Sequence, residues 1–301
     1  MLRRFMKDAA IYGIGMILVR SISFFLLPFY TDVLAPDDFG VIDILNVSML
    51  LVNLCIPLEI SQAIARFYQD LPNKKEKKDY ASTSLWFTFF SLSLFALVCI
   101  PFTRQISIIL FNNNQYKNIV LLYIPYILVY GIQYLMQNQL RWMLKSKAYA
   151  INSLLLTLTT LITTIILVLY FHLGIQGVII GQLCGVLIGA VIALYACRET
   201  YAFNFNLHAL QIMLRFSLPL VPSSISVLVM NYINRLMLKS LMGITEVGLY
   251  GVAYRISSPV SAILLALQTA LIPIIYAEYY KPETPRDLEQ IFRIFIAFAI
   301  A

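Results

Sequence analysis

The chain has 301 residues, of which 60% are hydrophobic and only 12% charged, and its mean hydropathy is +0.80. A soluble domain carries roughly 25% charged residues, so this composition excludes a single water-surrounded core and predicts an all-α integral membrane protein, a multi-spanning helical bundle. The apolar runs are continuous rather than alternating, which argues against a β-barrel, and the net charge of +7 lies in loops where topology accounts for it without nucleic acid.

A span needs roughly 20 apolar residues. The first candidate, about 9–34, follows "MLRRFMKD" and holds a 23-residue apolar run, Ala9 to Thr31, with Arg20 at its centre. The run is too long for a signal peptide and has no small-residue cleavage site. After "APDDFG" comes a second span, 41–65, with Asp43 near its start and Glu59 sixteen residues on. On one straight helix that separation is roughly 24 Å, with Glu59 on the cytoplasmic side of the midplane. Further spans are expected at 81–103, 119–140, 149–171, 177–197, 212–236 and 248–276. A ninth apolar run starts near Ile291 and reaches Ala301 after eleven residues, which reads as a fragment of a longer protein.

The loops give the orientation. Lys and Arg number 16 in the N-terminus and even-numbered loops, including the Lys-rich 66–80 and 141–148, against 3 in the odd-numbered loops. The positive-inside rule then puts the N-terminus in the cytoplasm. Cys55, Cys99, Cys184 and Cys197 lie in or beside apolar runs without paired spacing and read as small hydrophobes. His172 and His208 are isolated in predicted loops, so no metal or cofactor is expected. There is no P-loop, no Gly-x-Ser-x-Gly and no His-Glu-x-x-His, which argues against an enzyme. Pro219 and Pro222 are expected to weaken the start of the seventh span. Gly174, Gly177, Gly181, Gly185 and Gly189 form a small-residue ladder of the kind that packs helices closely.

Arg20, Asp43, Glu59, Arg235 and Arg255 are the ionisable residues inside the spans. Such residues normally face a bundle interior or a wet cavity. The excess of cations points to a positively charged interior. Arg20, Arg235 and Arg255 are the candidate substrate ligands, because a guanidinium donates two parallel hydrogen bonds to phosphate and stays charged. Pyrophosphate is a suitable anion. Asp43 and Glu59 are candidates for ion coupling or for a structural ion pair.

The chain is also weakly repeated at an offset of 208 residues. "FYTDVLAPDDFGVIDI" (29–44) falls on "MLKSLMGITEVGLYGV" (237–252), with Gly40 on Gly248 and Asp38 on Glu246. An even number of spans separates the copies, so their axis lies along the membrane normal. This predicts a two-lobe, six-helix repeat with the second lobe incomplete: residues 1–210 form an N-terminal lobe of six helices, and 211–301 the start of a C-terminal lobe.

Several motifs resemble those of Wzx-type polysaccharide flippases, in the multidrug/oligosaccharidyl-lipid/polysaccharide exporter superfamily. They are the Pro36–Gly40 turn, "AIARFY" at the end of the second span, "LGIQGVIIGQLCG", and above all "LPLVPSSISVLVMNYINRLMLKSLMGITEVGLYGVAYRI" (218–256). Members commonly carry Asp before the residue matching Arg235; here it is Asn234. The resemblance covers the chain as the first two-thirds of a longer protein. It implies alternating-access transfer of an oligosaccharide on undecaprenyl pyrophosphate from the inner to the outer leaflet, for O-antigen or capsule synthesis. It also implies a bacterial cytoplasmic membrane and a coupling cation, sodium or proton. The rivals are a drug or cation exporter of the same superfamily, an enzyme of the same pathway, and an inactive truncated product.

Overall fold

The computed structural model describes residues 33–254 together with Glu289, Phe292 and Arg293. Nearly all of the first predicted span, with Arg20, most of the eighth, with Arg255, and the final run lie outside the described residues.

Those described form helices and turns without a strand. In chain order they are α1 (Pro36–Cys55), α2 (Ile60–Phe67), α3 (Lys74–Cys99), α4 (Thr103–Phe111), α5 (Lys117–Trp142), α6 (Ser146–Ile165), α7 (Gly174–Ala196), α8 (Leu207–Ser217) and α9 (Leu220–Leu241). A tenth helix, α10, begins at Ile244 and is described as far as 254. Among the described residues, five helical stretches are long and apolar enough to cross a membrane, and the bent pair α8–α9 makes a sixth.

Sequence explains the starts and breaks. "APDDFG" is the first turn of α1 rather than a free loop. Pro36 occupies the position where its missing N–H costs nothing, and the Asp38 carboxylate accepts from the Ala35 N–H at 3.2 Å. The span expected as one straight helix over 41–65 is broken. α1 ends just before Pro57, and Leu58 (φ 52°) and Glu59 (φ 53°) take left-handed backbone before α2 resumes. That conformation costs a side-chain-bearing residue about 1–2 kcal/mol, so packing on both sides holds the break in place. The 24 Å spacing of Asp43 and Glu59 along one helix is therefore wrong. The 104–118 loop is likewise helical through Phe111, because a short 3₁₀ turn at Ile100–Phe102 joins α3 to α4. The seventh span bends by 49° between Ser217 and Leu220, at Pro219. Pro222 sits harmlessly in the first turn of α9, and α5 runs through Pro125 unbroken.

The core joins α1, α5 and α7. Val41, Ile44, Leu45, Tyr123, Ile127 and Ile179 are among its buried members. α6 lies on α7 along the glycine ladder. A Cβ at Gly181 would stand 2.9 Å from the Thr164 backbone nitrogen, and one at Gly185 2.9 Å from the Leu156 carbonyl. Gly174 is not part of this contact: a Cβ there would meet nothing within 4 Å, and the residue opens α7 at φ +50°. Cys197 is buried just past the end of α7, among apolar neighbours that include Leu140 and Ala193.

Gly181→Ala is expected to destabilise by about 1–3 kcal/mol, because backbone on α6 cannot yield as a side chain can. Thermal unfolding of the detergent-solubilised protein measures it, and an unchanged midpoint would show that α6 and α7 are not closely packed there.

Candidate functional site

Two of the in-span charges meet. Asp43 is the eighth residue of α1, about 10 Å from its start, and Arg235 lies near the end of α9. The Arg235 Nε donates to Asp43 Oδ2 at 2.6 Å, and the two side chains keep only 5% and 11% exposure. Asp43 is therefore enclosed by protein, although it stands near the start of the predicted span. Gly251 makes room for it: a Cβ there would lie 3.0 Å from Asp43 Oδ2.

Tyrosines enclose the guanidinium. Its carbon lies 5.0 Å from the ring centre of Tyr232, 5.3 Å from that of Tyr250 and 4.8 Å from that of Tyr254. Electron-rich ring faces at this range stabilise a desolvated cation. Asn234 donates to the Tyr250 hydroxyl at 3.3 Å. The carboxylate facing Arg235 comes from a separate helix 192 positions away. The Arg235 Nη1 is buried with no hydrogen-bond partner among the described residues.

Glu59 is not brought to this pair. It stands in the break between α1 and α2, within electrostatic reach of Tyr134 and Cys55. Arg66, on α2, pairs with Asp70 at the exposed end. Arg20 and Arg255 are outside the described residues. The sequence reading missed the tyrosines. The available signal was the spacing: Tyr232 precedes Arg235 by one turn, and Tyr250 and Tyr254 are four apart on one face of α10.

The ends of α1 and α10 form a second feature. Both helices begin at positions related by the 208-residue offset, Pro36 and Ile244. Their contacts are reciprocal under the same offset. A Cβ on Gly40 would collide with the Ile244 carbonyl oxygen, and one on Gly248 with that of Pro36. Thr245 Oγ1 donates to Asp37 Oδ1 at 2.5 Å across the same offset. Such an i-to-j, j-to-i pattern is that of a two-fold contact.

A profile of the family described as "Polysaccharide biosynthesis protein" matches residues 31–292. The chain belongs to this polysaccharide biosynthesis protein family. A protein of the Lsg locus of Haemophilus influenzae is 23% identical over 279 residues, covering 90% of this chain and 65% of its own length. The chain thus spans just under two-thirds of that curated relative. Among solved structures, the Vibrio cholerae MATE transporter VcmN superposes with a TM-score of 0.73 at 15% identity, over 99% of this chain and 70% of its own. A MOP superfamily transporter from Pyrococcus furiosus gives 0.73 at 18%, over 98% and 69%. The fold is that of these transporters, and its apolar helices make this member of the polysaccharide biosynthesis protein family a multi-pass membrane protein.

Removing one partner of a buried pair strands the other charge, at about 3–5 kcal/mol. Arg235→Met and Asp43→Leu should each lower the unfolding midpoint sharply, and the double variant should recover most of the loss. A double-mutant cycle in detergent reads the coupling; additive losses would show that the pair is not energetically coupled.

Proposed function

We propose that the protein moves an oligosaccharide carried on undecaprenyl pyrophosphate from the inner to the outer leaflet of the bacterial cytoplasmic membrane, for O-antigen or capsule synthesis. The observation that carries this reading is the half-used guanidinium of Arg235. Its Nε holds Asp43, while Nη1 is buried and unfilled among the described residues. An unfilled buried donor costs about 1–3 kcal/mol, which a diphosphate oxygen would return, and a guanidinium binds phosphate in bidentate fashion. Arg20 and Arg255 are the further diphosphate ligands of this proposal.

Two lobes, 1–210 and 211–301, would alternate in access. The reciprocal α1–α10 contact supports a two-fold relation between them and would close the outer end while the inner end is open. Asp43 would be exchanged between Arg235 and a coupling proton or sodium ion, with Glu59 as the second candidate carboxylate. A drug or cation exporter is the second reading, favoured by one observation: a carboxylate beside three aromatic rings also suits a cationic ligand. Extrusion of a cationic dye by cells expressing the protein would support it.

In a flippase-deficient strain, Arg235→Ala should abolish surface polysaccharide, and Arg235→Lys should restore part of it, because the charge remains and the fork is lost. Membrane abundance is measured alongside. Normal surface polysaccharide from Arg235→Ala at normal abundance would defeat the proposal. For orientation, Asn73→Cys, exposed at the start of α3, should resist impermeant maleimide in intact cells and react in inverted vesicles. Labelling from outside would reverse the topology.

A further inference from the structure

Tyr123, Tyr126, Tyr130 and Tyr134 of α5 are spaced by three, four and four residues, so they form one stripe about 16 Å long. Successive ring centres are 5.0, 5.8 and 6.2 Å apart, and the rings of Tyr130 and Tyr134 lie parallel within 14°. The stripe changes character along its length. Tyr123 is 1% exposed and donates its hydroxyl to Asn46 Oδ1 at 2.8 Å, and Tyr126 is also core. Tyr134 keeps 45% of its surface open.

An exposed tyrosine near the end of a membrane helix is usually an interfacial anchor in lipid. The surroundings of Tyr134 exclude that here. It stands one turn before the buried Asn138, which donates to Ser61 of α2 at 3.4 Å and accepts from Arg141 at 3.0 Å, and it lies within electrostatic reach of Glu59 and Tyr149. Tyr130 lies within electrostatic reach of Tyr149 of α6 and Tyr232 of α9. Polar groups from several elements do not converge on a lipid-facing side chain. A residue ringed by protein yet open over nearly half its surface lines a cleft. Tyr232, at one end of this cleft, is also a ring against the Arg235 guanidinium. The stripe therefore leads from an open end beside Glu59 toward the candidate anion site.

We infer that Tyr130 and Tyr134, with Tyr149 and Tyr232, form a saccharide-stacking track, which holds the sugar part of the substrate while Arg235 holds its diphosphate. This inference rests on the proposed function. Tyrosine is well matched to sugars. Each ring offers a flat, electron-rich face to the C–H face of a pyranose, and each hydroxyl a hydrogen bond to the sugar's hydroxyls. Stacking is tolerant of sugar identity, because every pyranose has such a face. Glu59, beside the open end, supplies acceptor oxygens for sugar hydroxyls.

Two ligands distinguish the track from the diphosphate site on the purified chain in nanodiscs: undecaprenyl pyrophosphate, and the same lipid bearing lactose. The sugar-bearing lipid should bind about tenfold tighter, the worth of roughly one good aromatic contact. Tyr130→Leu with Tyr134→Leu should erase that margin, while Tyr130→Phe with Tyr134→Phe should keep most of it. Binding of the bare lipid reports whether each variant is still folded. Should the double leucine variant not fold, Tyr134→Leu alone, at the open position, must narrow the margin. Equal affinity of the two lipids for the unaltered protein, or a margin that survives the leucine substitutions, overturns the track and leaves the diphosphate reading standing. If neither lipid binds, the diphosphate reading falls and the track with it.

Discussion

The buried pair between Arg235 and Asp43 is the constraint around which this part of the protein is arranged. Taking both charges out of water costs several kcal/mol per ion, and the attraction between them offsets this only with good geometry and further partners. The surroundings supply them. The 2.6 Å contact is made at Nε, three tyrosine faces solvate the cation, and Gly251 lets the carboxylate lie against α10. A larger residue at 251 would push Asp43 away from the cation. The tyrosines, the glycine and the carboxylate are thus one unit, contributed by α1, α9 and α10.

Two of these helices, α1 and α10, also meet at their starts, where the backbones approach closely and Thr245 donates to Asp37. Gly40 and Gly248 are each other's equivalents, and each lacks the side chain that would collide with the other helix. A contact made mainly of backbone at a two-fold position has few side chains to disentangle, which suits the separation and reclosure that the proposed alternating access requires. The ion pair adds a polar latch a few turns further in. Transport, on this account, exchanges Asp43 for a substrate anion at Arg235.

The sequence made some of this legible and hid the rest for identifiable reasons. Asp43 and Arg235 stood out because a charge in an apolar span must face protein or water. Their pairing did not, because it joins residues 192 positions apart. The offset of 208 residues was visible in a glycine and an acidic residue. Its physical meaning, reciprocal contacts between the copies, needed coordinates. Glu59 was misplaced by a straight-helix assumption. Pro57 marked a kink, but a double left-handed turn at Leu58 and Glu59 has no sequence signature when neither residue is glycine. The spans themselves were readable from hydrophobic length, whereas the helical stretch 103–111 was hidden by its polar flanks, Arg104 and the three asparagines at 112–114. The tyrosine stripe was present as a 3-4-4 spacing, which alone does not tell a core face from a cleft face.

The claim that the two halves part at the α1–α10 contact is tested most directly by joining them. Asp37→Cys and Thr245→Cys, at side chains already in contact, are introduced with Cys55, Cys99, Cys184 and Cys197 replaced. Flipping of a fluorescent polyprenyl-pyrophosphate saccharide is then followed in proteoliposomes. The account predicts transport when the pair is reduced, arrest on oxidation to the disulfide, and recovery on reduction. Undiminished transport by the fully cross-linked protein would contradict it.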